Sequence, residues 1–173
     1  MKFIAFSFAC LFSLTGILSC AAQTAAKEKS DLVWYTDLMK AQAASNESKK
    51  PIFAFFTGSD WCGWCHKLEA DVFSKDAFKD WAKQNVVLLE LDFPRRKQLA
   101  PELTQQNAGL QQALQVRGYP TIWLLYAITD ANTKKTNLST LGSLGYPAGS
   151  EMGKEEVKFL NEANGILATG KKK

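Results

Sequence analysis

Hydrophobic positions in this chain fall into two kinds of run. Residues 52–56, 86–91 and 121–126 are nearly uninterrupted apolar stretches, short and bounded by turn residues or charges. Such runs read as strands buried on both faces. Elsewhere the apolar residues recur at three-to-four-residue spacing. Leu68, Val72, Phe73, Ala77, Phe78 and Trp81 are interleaved with Lys67, Glu69, Lys75, Lys79 and Asp80. That pattern predicts one amphipathic helix from residue 62 to about residues 84–85. Residues 34–44 predict a first helix with Leu38, Met39 and Ala43 inward, broken over 46–50 before Pro51. Residues 102–116 read as loop then helix, with Leu110, Ala113 and Leu114 inward. A hairpin turn at 132–137 leads to a last strand at 138–144. A final helix over 154–167 carries Val157, Phe159, Leu160, Ile166 and Leu167 as its apolar positions. Strands alternating with helices, then a hairpin and a helix, give an α/β class with a central mixed sheet.

The first residues belong to a different kind of segment. Met1-Lys2 is followed by an apolar stretch over 3–12, which describes an export signal better than a core element. Ile17-Leu18-Ser19-Cys20 resembles a bacterial lipobox, with Cys20 as the lipid attachment site; cleavage near Ala21-Ala22 is the alternative. The expected organisation is an export signal of lipoprotein type over 1–19, a tether over 20–30 and one domain over 31–170. The expected location is the periplasmic face of a bacterial membrane, or the soluble exported space. A net charge of +4 is too small to argue for nucleic acid, and Lys171-Lys172-Lys173 reads as a solvated tail.

Of the four cysteines, Cys10 and Cys20 lie in the leader, leaving Cys62 and Cys65 as the thiols of the exported domain. Their spacing and context are informative together. Cys62 follows a buried strand and opens a helix, where free backbone N–H groups and the helix dipole favour a thiolate. Cys65, one turn further, can reach the same sulfur. A loop that short constrains little of the unfolded chain, so the pair is better suited to redox exchange than to stapling. Two rival readings use His66. Cys62-Gly63-Trp64-Cys65-His66 is also the attachment pattern for c-type haem, with Met39 or Met152 as second axial ligand. A copper-binding module would use Cys62, Cys65 and His66. A holder that binds thiol proteins without turnover is a further alternative.

Trp61-Cys62-Gly63-Trp64-Cys65 at a helix start, with Gly118-Tyr119-Pro120-Thr121 leading a later strand, resembles the thioredoxin superfamily over roughly residues 31–167. Within it, the chain is similar to exported bacterial thioredoxin-like proteins and to the C-terminal domain of the membrane thiol:disulfide interchange reductase. The resemblance implies a thioredoxin fold, a central mixed β-sheet with helices on both faces. It implies Cys62 as an exposed nucleophile, Cys65 as the resolving thiol and Pro120 as a cis-proline opposite them. Tyr119 would contact substrate; Trp61 and Trp64, with Gly63 between, would form an apolar platform for partners. The Trp61 alternative is packing that supports the loop. No cofactor or metal is implied beyond the redox-active disulfide. Implied partners are protein thiols and disulfides and a membrane electron donor, with membrane contact only through the lipid anchor and a monomeric state. Reduction of protein disulfides is the expected direction; oxidase or isomerase is the alternative. One departure matters. The acidic residue that cytosolic thioredoxins bury beneath their cysteines has no match, because Phe55 and Phe56 occupy that neighbourhood. Glu90 reads as a solvated strand-end carboxylate, with a substitute role in accepting the Cys65 proton as its alternative. The basic stretch 93–106 reads as a solvated connector, or as a partner-docking loop.

Overall fold

Alternation along the strand Ile52–Thr57 (β2) organises the molecule. Phe53 and Phe55 face one side of the sheet, Ile52, Ala54 and Phe56 the other, and all are buried. The computed structural model describes residues 32–133 and 135–170. The expected export signal, the Cys20 attachment site, the tether and the lysine tail lie outside the described residues. Chain order is β1 (Trp34–Tyr35), α1 (Leu38–Ser48), β2, α2 (Gly63–Leu68), a π-helical turn (Glu69–Phe73) and α3 (Asp76–Asn85). It continues with β3 (Val87–Asp92), α4 (Pro101–Ala113), β4 (Thr121–Thr129), β5 (Thr136–Leu144) and α5 (Glu155–Gly170). The five-stranded sheet runs β1-β3-β2-β4-β5, parallel across β1, β3 and β2, antiparallel from β2 outward through β4 and β5. This is the thioredoxin fold, a mixed sheet with helices on both faces.

Each face carries its own core. On one, Phe53, Phe55, Leu88, Ile122 and Leu124 pack under Cys65, Leu68, Phe78 and Phe159 from the helices that start with α2 and end with α5. Aromatic rings dominate there: Phe73 and Phe78 stack at 4.6 Å, and Phe55 meets Phe73 edge-on at 5.0 Å. On the other face, Ala41 of α1 and Leu110 and Leu114 around the end of α4 cover Ile52, Ala54, Phe56, Leu89 and Leu91.

Several boundaries differ from the sequence expectation, each for a local reason. Trp34 and Tyr35 do not begin a helix; they pair with Leu88 and Leu89 as a short edge strand. The helix starts later because Asp37 caps it, accepting from the Met39 and Lys40 amides at 2.7 and 3.2 Å. With that shift α1 buries Ala41, Gln42 and Ser45, while Met39 is 56% exposed and Ala43 is exposed. The expected single helix after Cys62 is three pieces. The extra residue of the π-turn rotates its C-terminal end, and Ser74-Lys75 separates it from α3. Ala77 and Ala113 are exposed, not inward, and so is Val157; the buried positions of α5 are Phe159 and Ala163. β4 runs on to Thr129 with a bulge at Leu124/Leu125 and an exposed Ile128, so it is not buried throughout.

Candidate active site

The segment between β2 and α2 is built around its backbone. The amides of Trp61 and Cys62 both donate to the Gly58 carbonyl, turning the chain so that Cys62 lands at the N-cap of α2. Its Sγ accepts from the Cys65 amide at 3.2 Å. Cys62 and Cys65 form a disulfide, Cα atoms 5.2 Å apart. Cys62 is not the openly exposed side chain the resemblance implied: it is 5% exposed, against 0% for Cys65. The asymmetry keeps its direction, with an outer and an inner sulfur.

Three residues before Cys62 tie this segment to the chain after β3. Asp60 accepts from the backbone amides of Arg95 and Arg96, at 3.0 and 2.7 Å, and the Arg95 amide above all holds its carboxyl below the ordinary range. Trp61 donates its indole N–H to the Phe93 carbonyl at 2.8 Å, and the Arg95 guanidinium lies 3.8 Å from its ring centroid. Trp61 thus supports the loop, the alternative given above. It needs Gly58 to do so, since a Cβ there would lie 2.5 Å from the indole. Ser59 is the third tie. Its amide and hydroxyl donate to the two carboxylate oxygens of Asp92 at 2.8 and 2.7 Å, and Lys97 completes the set at 2.9 Å. Burial pushes the Asp92 carboxyl up, but Ser59 and Lys97 outweigh it and hold it below the usual range. The stretch 93–100 is therefore a clamped loop, and Pro101 already begins α4. Arg95, Arg96 and Lys97 remain exposed on it.

Tyr119 and Tyr146 pack, with Trp61, against the cluster that holds both cysteines; Trp64 directly precedes Cys65, and Pro120 directly follows Tyr119. Trp64 is 59% exposed and leans on Tyr146, rings 5.1 Å apart. Tyr146 comes from the loop after β5, and its hydroxyl donates to Asp71 at 2.6 Å, where Lys67 also donates. Tyr119 meets Trp61 edge-on at 5.8 Å, stacks on Phe93 at 5.2 Å, and accepts from Gln111 at 2.6 Å; burial pushes its phenol up. The Tyr119–Pro120 peptide bond is cis. A Cβ on Gly145 would lie 3.7 Å from the Pro120 carbonyl oxygen, so the loop bearing Tyr146 runs past Pro120. His66 turns Nε2–H to the Ser59 carbonyl at 2.8 Å.

On the sheet face under the cysteine helix sit two carboxylates, Glu90 and Asp92, and Glu69 of the π-turn lies close enough to interact with both. Asp92 is the clamped one. Glu90 pairs with Phe55 in register and is half-buried in the middle of β3, not a solvated strand end. Burial raises its carboxyl, helped by Asp92 and Glu69 and opposed by Lys97. Burial also raises Glu69, with His66 lowering it and Asp92 raising it.

The structure brings Cys62, Cys65, Trp61 and Tyr119 into one cluster, with Gly63 and Trp64 exposed beside the cysteines in sequence and Pro120 directly after Tyr119. Sequence reasoning missed Ser59, Tyr146 and the clamp made by Asp92. A signal for Asp92 existed, a carboxylate closing an apolar strand; for Tyr146 there was only the turn chemistry of Gly145-Tyr146-Pro147. Among the described residues, no cluster of three or more His, Cys, Asp or Glu is placed to hold a metal ion.

A thioredoxin-like domain family matches residues 38–131. Disulfide bond reductase DsbH of Chlamydia pneumoniae is 37% identical over 78 residues, which cover 45% of this chain and 47% of that protein. Thioredoxin-related protein DsbJ of the same organism is 25% identical over 141 residues, 82% of this chain and 38% of that protein. The chain thus spans less than half the length of these curated relatives. A solved DsbH oxidoreductase superposes with a TM-score of 0.65 at 26% identity, covering 92% of this chain and 95% of the other. A thioredoxin from Thermus thermophilus, at 17% identity and a TM-score of 0.56, covers 82% of this chain and 91% of its own and shares the fold.

Proposed function

This chain belongs to the thioredoxin-like domain family, and from that premise we propose that it is an exported thiol:disulfide oxidoreductase that reduces protein disulfides through Cys62 and Cys65. The observation that carries the reading is the closed Cys62–Cys65 pair at the start of α2, its outer sulfur on Cys62 and its inner one on Cys65. In the reduced protein the Cys62 thiolate attacks a partner disulfide, expelling one partner thiolate and leaving a mixed disulfide. The Cys65 thiolate then attacks the Cys62 sulfur, the mixed disulfide breaks, and the second partner thiolate leaves. Two electrons pass to the partner, and a membrane electron donor returns them. Trp64, Tyr146, Tyr119 and Pro120 form the apolar surface on which the partner chain rests.

The reductive direction is supported by the DsbH relative's name and by the absence of charge between the cysteines. Cys20 anchors the protein by a lipid, which leaves residues 20–30 to span the distance from the membrane.

The test is turnover of a protein disulfide by the reduced chain, followed by thiol trapping. Wild type turns over. Cys65→Ser retains the first attack and accumulates mixed disulfides through Cys62; Cys62→Ser does neither. Full turnover by Cys65→Ser would instead identify a holder that binds thiol proteins without a redox cycle.

A further inference from the structure

The inner sulfur poses a proton problem. Cys65 is fully buried, and to break a mixed disulfide it must react as a thiolate. At neutral pH its proton is therefore best taken by a group inside the protein, because the sulfur has no exposed surface in this arrangement. The face of the sheet beneath it offers few acceptors. From β2 it presents Phe53, Phe55 and Thr57, from β3 Leu88, Glu90 and Asp92, and from β4 Ile122 and Leu124. Asp92 is committed: the Ser59 amide, the Ser59 hydroxyl and Lys97 occupy its carboxylate and keep it charged. His66 is exposed and gives its Nε2–H to Ser59. Glu69 and Glu90 remain.

Position separates these two. Glu69 lies four residues beyond Cys65, at the first residue of the π-turn, where burial raises its carboxyl and His66 opposes the rise. Glu90 projects from the sheet directly beside Phe55, a residue of the same buried cluster as both cysteines. A second observation points the same way. Thr57 is 1% exposed, and its hydroxyl is a buried side-chain polar atom without a hydrogen-bond partner. Unpartnered buried polar groups are uncommon and call for a reason. Thr57 sits two residues after Phe55 on the same face of β2, opposite Asp92 and diagonally across from Glu90. A hydroxyl can accept one proton while donating another.

We infer that Glu90 is the proton acceptor for Cys65, with the Thr57 hydroxyl as the relay between them. The inference rests on the oxidoreductase reading and adds a residue to it. In the mixed disulfide, Cys65–SH and the Glu90 carboxylate become the Cys65 thiolate and the Glu90 carboxylic acid. That thiolate forms the bond to the Cys62 sulfur, the Cys62–partner bond breaks, and the departing partner thiolate carries away the electron pair. Glu90 then releases the proton to the partner thiolate or to water. The groups that set its charge are Asp92 on its own strand, Glu69 from the turn above and Lys97 from the clamped loop.

The test uses the full reduced chain and the small aromatic disulfide 5,5′-dithiobis(2-nitrobenzoate) in stopped flow. The first thionitrobenzoate released reports attack by Cys62, and the second reports resolution by Cys65. Glu90→Gln is expected to leave the first phase within about twofold and to slow the second about tenfold at pH 7, one pKa unit's worth of thiolate. The deficit should close towards pH 9–10, where hydroxide takes the proton. Thr57→Val slows the same phase, and Glu69→Gln leaves it at the wild-type rate. A second phase unchanged by Glu90→Gln across pH, or slowed only by Glu69→Gln, overturns the assignment. So does equal slowing of both phases, which would mark a structural role; a wild-type rate in Thr57→Val removes the relay. A wild-type protein with no second phase fails differently, since it removes the oxidoreductase reading itself.

Discussion

Replacing Asp92 by Asn tests the clamp that holds the cysteine loop. The wild-type carboxylate accepts three hydrogen bonds from the Ser59 amide, the Ser59 hydroxyl and Lys97, at 2.8, 2.7 and 2.9 Å. Asn keeps the shape and the acceptor for the Ser59 amide but puts an NH₂ where the second oxygen was. The hydroxyl can rotate and accept from it; the ammonium cannot and must move to solvent. Hydrogen bonds to a charged group contribute about 1.5–3 kcal/mol each. Lys97 is 55% exposed along its side chain, so its share is discounted for solvent screening. The expected cost of Asp92→Asn is about 2 kcal/mol at pH 7. The pH dependence has a definite sign. A carboxyl held below its unfolded value of 3.8 contributes stability that is complete above that value and lost as pH falls through the folded one. Urea denaturation of the oxidised chain, wild type against Asp92→Asn, should therefore give a constant difference from pH 7 to about 5 and a shrinking one below about 4. A difference that stays constant down to pH 3, or no cost at pH 7, would refute the clamp.

Gly58→Ala places a methyl 2.5 Å from the Trp61 indole. The ring must move off the Phe93 carbonyl, at about 1–3 kcal/mol in urea denaturation, with a changed tryptophan emission. Phe53→Ala empties the centre of the aromatic core, where Phe53 meets Trp34, Phe73, Phe78, Trp81 and Phe159, and should cost about 3–5 kcal/mol by the same method. Trp64→Ala removes an exposed ring, so stability should change by less than about 1.5 kcal/mol, the upper end for its contact with Tyr146. The KM for a protein disulfide should rise while the rate with a small disulfide holds.

Much of this architecture is legible in residue order, because burial on two faces leaves a plain mark. Ile52-Phe53-Ala54-Phe55-Phe56 admits little except a central strand, and the cysteines directly after it locate the site. Periodicity reads less well where a local contact overrides it. Trp34 and Tyr35 look helical by spacing, yet an open edge of β3 takes them as a strand and Asp37 delays the helix. The π-turn at Glu69–Phe73 is silent in sequence, since one extra residue per turn leaves the apolar spacing within tolerance. Long-range polar partners are the least legible. Nothing near Ser59 announces Asp92, thirty-three residues away, and nothing near Trp64 announces Tyr146. Glu90 shows the same limit: inside an apolar strand it reads as a strand-end charge until the register sets it beside Phe55.

The reduction potential of the Cys62–Cys65 pair tests the central claim most directly. The chain is equilibrated in graded thiol/disulfide buffers, free thiols are trapped by alkylation, and the two forms are counted by mass. A reversible two-electron couple near the thioredoxin value of about −270 mV is the expected result for a protein that gives electrons to partner disulfides. A pair that shows no reversible couple, or one poised near about −120 mV as in strong oxidants, contradicts the account.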